Sequence, residues 1–265
     1  MPCSKRDSSS PAATERVKSA ARRYPFRLHR AVIAGALAAI AACASGAGPS
    51  DTRVADTIAE RVRACTVCHG DEGRATSDGY YPRIAGKPAG YLYNQLVNFR
   101  DGRRRNATMT YLVGNLPDSY LKEIADYFAA LHPPYAAPPT AQVPAIVLER
   151  GRQLAARGDA SRDIPACAAC HGETLTGVAP AVPGLVGLPR DYLNSQFGAW
   201  RIGARHAAAP DCMAEITRRL GVEDSNAVSA YVASLAVPAN PAPAATASRK
   251  LPLECGSVTP ARARP

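Results

Sequence analysis

The sequence predicts an all-α protein built as two tandem copies of one helical domain. Three observations carry that expectation: a long internal duplication, apolar residues at helical spacing in the last helix of a copy, and no competing strand alternation. At 265 residues the chain also exceeds what one small core needs.

The duplication reads residue by residue. Cys65-Thr66-Val67-Cys68-His69-Gly70 recurs as Cys167-Ala168-Ala169-Cys170-His171-Gly172, an offset of 102. Pro82, Ile84, Gly86 and Pro88 recur as Pro183, Leu185, Gly187 and Pro189 at 101. Tyr91-Leu92, Gln95, Phe99-Arg100 and Gly102 recur as Tyr192-Leu193, Gln196, Trp200-Arg201 and Gly203, again at 101. Met109 recurs as Met213, and Tyr127 to Leu131 as Tyr231 to Leu235, both at 104, so small insertions account for the drift. A unit this long is a domain with its own core, since solenoid repeats run roughly 20 to 50 residues.

Taken in order, residues 1–43 read as a leader. Arg22, Arg23, Arg27 and Arg30 precede the apolar run Ala31 to Ala42. That run has 12 residues, short of the roughly 20 needed to cross a bilayer, so a processed signal peptide is expected rather than a membrane anchor. The polar stretch before Arg22 is long for such a signal and points to a start downstream of Met1. Arg22-Arg23 fits a twin-arginine signal as well as an ordinary basic segment, and the general secretory route is the expectation. Ile40-Ala41-Ala42-Cys43 resembles the processing box of lipoproteins, which leaves two outcomes open: ordinary cleavage after Ala44 or Ala47, or a lipid on Cys43 that tethers the protein to a membrane.

The first domain is expected over 51–139. It has a helix ahead of the Cys pair, a loop rich in Gly and Pro, a helix from Tyr91-Leu92, and a last helix from Tyr120 to Leu131. In that last helix Leu121, Ile124, Ala125, Phe128 and Leu131 share one face, and Pro117 and Asp118 suit its start. The Pro/Ala-rich stretch His132 to Pro144 reads as a semi-rigid linker, with the boundary near Thr140. The second domain is expected over 140–237, and 238–265 reads as a Pro/Ala-rich tail.

Two cysteines three apart followed at once by histidine form the attachment pattern of c-type haem. The thiols bond the vinyl groups and the next imidazole reaches iron. Cys65, Cys68, Cys167 and Cys170 are thus the expected attachment points, and His69 and His171 the expected iron ligands. Zinc would ask for four ligands, and each copy offers two Cys and one His with no further pair nearby. A redox dithiol would require neither the adjacent His nor its duplication. Apart from Met1 the chain has only Met109 and Met213, in equivalent places within polar stretches read as loops. A lone Met is usually core filler, but two at matched positions are expected sixth ligands, and a thioether favours ferrous iron. The competing His132 and His206 do not match as a pair, and His206 is the one credible substitute.

The formal net charge of +10 falls to +4 once the eight Lys/Arg and two Asp/Glu of the leader are set aside. Four haem propionates would bring the mature reduced protein near neutrality, so the basic pI is poor support for nucleic acid as a partner.

From about Ile58 to Leu235 the chain resembles the di-haem cytochromes of the cytochrome c4 type, two class I cytochrome c domains in tandem. The resemblance rests on Cys65 to Gly70, Pro82 to Gly86, Tyr91 to Gly102, Met109 and Tyr127-Phe128, with Cys167 to His171, Tyr192-Leu193, Met213 and Tyr231 in the second copy. It implies two covalent haem c groups, no bond-making chemistry, and a periplasmic carrier passing electrons between respiratory donors and a terminal oxidase or reductase. The alternative is the haem-bearing electron-accepting subunit of a periplasmic dehydrogenase. A haem enzyme is a third class, against which the paired methionines argue.

Family members usually lack Cys212 and Cys255. Of the eight Cys, Cys3 leaves with the leader, Cys43 awaits processing and four hold haem, so Cys212 and Cys255 are expected to pair in an oxidising compartment, two unpaired thiols being the alternative. Arg103-Arg104-Arg105, with Arg100, could steer an acidic redox partner or pair with propionates.

Overall fold

The computed structural model describes residues 55–140 and 142–258. The leader, with Cys43, and residues 259–265 lie outside them. The first copy runs α1 (Ile58–Arg61), α2 (Arg63–His69), a 3-10 turn (Asp71–Gly73), α3 (Ala89–Arg100), α4 (Ala107–Val113) and α5 (Asp118–Ala130). The second runs α6 (Ala145–Ala156), a 3-10 turn (Ala160–Arg162), α7 (Cys167–His171), α8 (Arg190–Arg201), α9 (Cys212–Arg219) and α10 (Val222–Ser234). Between α7 and α8, β1 (Gly177–Val178) and β2 (Val182–Pro183) pair antiparallel, with Val178 opposite Val182. Among the described residues no helix is long and apolar enough to cross a membrane.

Helix α5 starts where the sequence places it, after Pro117, and buries Leu121, Ile124, Ala125 and Phe128 on one face. That face packs against α3, where Leu92 and Phe99 are buried. In the second copy α10 packs on α6 and α8. The crossing of α6 and α10 is close enough to demand glycine: a Cβ at Gly151 would lie 2.1 Å from the Ala227 carbonyl oxygen. Around it Leu154, Ile164, Leu193, Leu220, Val228 and Val232 form the second core. Ion pairs brace its edge, with Arg150 meeting Asp224 at 2.9 Å and Asp159 at 3.2 Å. Arg162 meets the same two carboxylates at 2.7 and 2.8 Å.

The copies meet about a pseudo-twofold arrangement of equivalent residues. The backbones of Arg104 and Arg205 form an antiparallel bridge, Arg105 N–H donates to the Ala204 carbonyl at 2.8 Å, and His206 N–H donates to that of Arg103 at 2.6 Å. The tail folds back instead of leaving the body. Ala244 exchanges backbone hydrogen bonds with Gly177 and Ala179, Gly256 N–H donates to the Pro210 carbonyl, and Cys255 is disulfide-bonded to Cys212. The expected pairing therefore forms. Asn94, on α3 of the first copy, donates to the Ser257 carbonyl at 2.9 Å.

Candidate functional site

Each Cys-x-x-Cys-His stretch folds as a short helix that ends on its histidine. In α2 and α7 the residue after the histidine, Gly70 or Gly172, sits at positive φ, 74° and 85°. At Gly70 a side chain would also collide, since its Cβ would lie 2.3 Å from the Ala75 carbonyl oxygen. The chain turns sharply there and brings a proline carbonyl back over the imidazole. Nδ1 of His69 lies 2.9 Å from the Pro82 oxygen, and Nδ1 of His171 lies 2.8 Å from that of Pro183. Donation from Nδ1–H leaves the Nε2 lone pair free, the arrangement by which proteins orient an imidazole toward a metal. Burial pushes both histidines below their ordinary pKa, against the opposing effect of the proline carbonyl, which favours the neutral ring that can ligate a metal.

Burial acts on three of the thiols as well. Burial pushes Cys65 and Cys170 up and carries Cys167 up to about 11. Redox-active dithiols need the reverse, a depressed pKa that yields thiolate. Among the described residues no group of three or more His, Cys, Asp or Glu is placed to hold a metal ion by itself.

One continuous cavity of about 690 Å³ joins the two motifs. Cys65, Cys68, His69 and Met109 line it from the first copy, and Cys167, Cys170, His171 and Met213 from the second. The methionines differ from the expectation in their local structure: both open short helices rather than lying in loops. Asn106 caps α4 by accepting from Met109 N–H at 3.0 Å, and Asp211 caps α9 by accepting from Ala214 N–H at 3.0 Å. His132 and His206 are both exposed.

The sequence reading singled out Arg104 within the Arg103 to Arg105 run but missed Arg205, and both line the cavity. Arg104 donates to Gln95 Oε1 at 2.9 Å and crosses to Gln196 Oε1 at 2.6 Å. Arg205 mirrors it, reaching Gln196 Oε1 at 2.6 Å and Gln95 Oε1 at 3.1 Å. The guanidinium of Arg104 lies over Phe99 and that of Arg205 over Trp200, 4.6 and 3.9 Å from the ring centroids. No ion pair to a carboxylate is formed by either among the described residues. Of the Arg103 to Arg105 run, the middle member is thus turned into the molecule, while Arg103 is held by Asn98 and Asp101. Arg104 and Arg205 recur at the same offset of 101 as their neighbours, a signal that could have marked them.

No protein-family model matches the chain. It is 34% identical over 184 residues to the thiosulfate dehydrogenase electron acceptor of Thiomonas intermedia, covering 69% of this chain and 83% of that protein. It is 31% identical over 185 residues to cytochrome c4 of Pseudomonas aeruginosa, covering 68% and 89%. Among solved structures, reduced recombinant cytochrome c4 from Pseudomonas stutzeri superposes with a TM-score of 0.58 at 26% identity, over 67% of this chain and 96% of that one. The thiosulfate dehydrogenase TsdBA from Marichromatium purpuratum, in its as-isolated form, gives 0.59 at 32% identity over 65% of this chain, which spans only 36% of that longer one. Twin Cys-x-x-Cys-His helices in a shared cavity and these relatives agree: the chain belongs to the di-haem class I cytochromes c of the cytochrome c4 type, electron-transfer proteins that carry two haem c groups.

Proposed function

We propose that Cys65 and Cys68 attach one haem and Cys167 and Cys170 the other, that His69 and His171 are the proximal iron ligands, and that Met109 and Met213 fill the sixth positions. The observation that carries this reading is the twofold repetition of one arrangement: an imidazole fixed by a proline carbonyl, two cysteines in the helical turn before it, and a methionine lining the same cavity. The residues fit the group in a second respect. Arg104 and Arg205 are cations turned inward without carboxylate partners, and a haem brings its own carboxylates. When bound, the haem supplies a one-electron iron couple. The chain's residues orient the ligands, exclude water and hold fixed positive charge between the two sites.

On this reading the protein is a periplasmic carrier that transforms no substrate and passes electrons from respiratory donors to a terminal oxidase or reductase, with the two domains spanning 51–139 and 140–237. Filled sixth positions predict that carbon monoxide leaves the spectrum of the reduced protein nearly unchanged. A large shift would mean an exchangeable site and a haem enzyme instead. A second reading, the electron-accepting subunit of a periplasmic dehydrogenase, is favoured by the likeness to thiosulfate dehydrogenase electron acceptors at 34% and 36% identity. It predicts co-purification with a large catalytic subunit and rapid haem reduction when that subunit is given its substrate.

A further inference from the structure

The two copies repeat one another closely, and Lys87 is among the buried residues of the first copy that break the repetition. Gly86-Lys87-Pro88 of the first copy corresponds to Gly187-Leu188-Pro189 of the second. Leu188 belongs to the apolar core of its own domain. Lys87 is just as buried, only 5% exposed, and its ammonium leaves its own domain: Nζ donates to the carbonyl oxygen of Gly184 at 2.8 Å. Gly184 follows Pro183, the residue whose carbonyl holds the imidazole of His171. Lys87, Pro183, Gly184 and His171 all line the cavity. No carboxylate is paired with Lys87 among the described residues, where the Gly184 carbonyl is the partner of its ammonium.

We propose that Lys87 is a positioning residue through which the N-terminal domain sets the electrostatics of the C-terminal haem, raising the reduction potential of that haem selectively. The inference rests on His171 carrying the second haem. A positive charge nearby favours the iron state with the lower charge, the ferrous one, and burial keeps solvent from screening the effect. Burial and Arg83 push the lysine down to about 7, so the ammonium is half-populated at that pH and its charge fills in as the pH falls further. Because the ammonium crosses the domain boundary, the effect also depends on the two domains being docked.

The test is a redox titration of the full di-haem protein, run below pH 7, following haem methyl resonances assigned to each domain. Wild type is compared with Lys87→Met, which keeps the bulk, and with Lys87→Gln, which keeps a donor for Gly184 without the charge. The expected result is that both variants lower the midpoint of the C-terminal haem and leave the other in place. Equal shifts of both haems, a shift of the N-terminal haem alone, no shift, or a shift in Lys87→Met that Lys87→Gln does not share would overturn the proposal. A wild-type protein lacking haem methyl resonances from both domains would instead overturn the functional reading on which it rests.

Discussion

Replacing Cys212 and Cys255 together by serine removes a cross-link that spans 43 residues of sequence. In the chain-entropy description, closing a loop of that length in the unfolded ensemble stabilises the folded state by about 4 kcal/mol. The native side of the balance keeps most of its contacts, because the tail is also tied by Ala244 to Gly177 and Ala179 and by Ser257 to Asn94. The loss should therefore fall on the unfolded chain and come close to the full value. Trp200, the single tryptophan, lies in α8 of the second copy, the copy that carries the disulfide. Guanidinium unfolding followed by its fluorescence should show the C-terminal domain of the double variant less stable by about 4 kcal/mol, with the denaturant slope nearly unchanged. A difference under about 1 kcal/mol would refute the reasoning, since it would mean that the unfolded chain is confined in some other way.

Two further outcomes follow from the second domain. Hydrogen bonds from Ser161, Arg162 and Arg150 hold the Asp159 carboxyl below its usual range, and those from Arg150 and Arg162 outweigh burial to do the same for Asp224. A carboxylate depressed in the folded state lends stability that is present above its unfolded pKa of about 3.9 and is lost as pH falls through the folded value. Asp224→Asn should thus cost about 1 to 3 kcal/mol near neutrality, and thermal melts should show that gap closing below about pH 4. Gly151→Ala should lower the melting temperature by forcing α6 and α10 apart at Ala227 and Tyr231, a cost of about 1 to 3 kcal/mol.

Much of this was legible in the sequence because duplication multiplies weak signals. Met109 alone would read as core filler, and only its partner at 213 made it a candidate. The stripe from Leu121 to Phe128 gave α5 because a surface helix must bury one face, and Pro117 marked its start. The short helices under the methionines escaped notice although Asn106 and Asp211 are good N-caps, since seven and eight residues carry little periodicity. The pair β1 and β2, two residues each, is below what alternation can reveal. The tail was read as Pro/Ala-rich, and cysteine arithmetic tied it to Cys212, but its placement also depends on a few long-range hydrogen bonds that composition does not encode. Lys87 and Arg205 were passed over for a physical reason: buried cations are rare, so a charged residue reads by default as solvated.

The central claim, two irons each bound between an imidazole and a thioether, is tested most directly by the methionine-to-iron charge-transfer band of the oxidised protein. The account predicts that Met109→Ala and Met213→Ala each remove about half of its intensity and that the double variant abolishes it, with His69 and His171 left in place. A band untouched by both substitutions, or absent from the wild type, would contradict it.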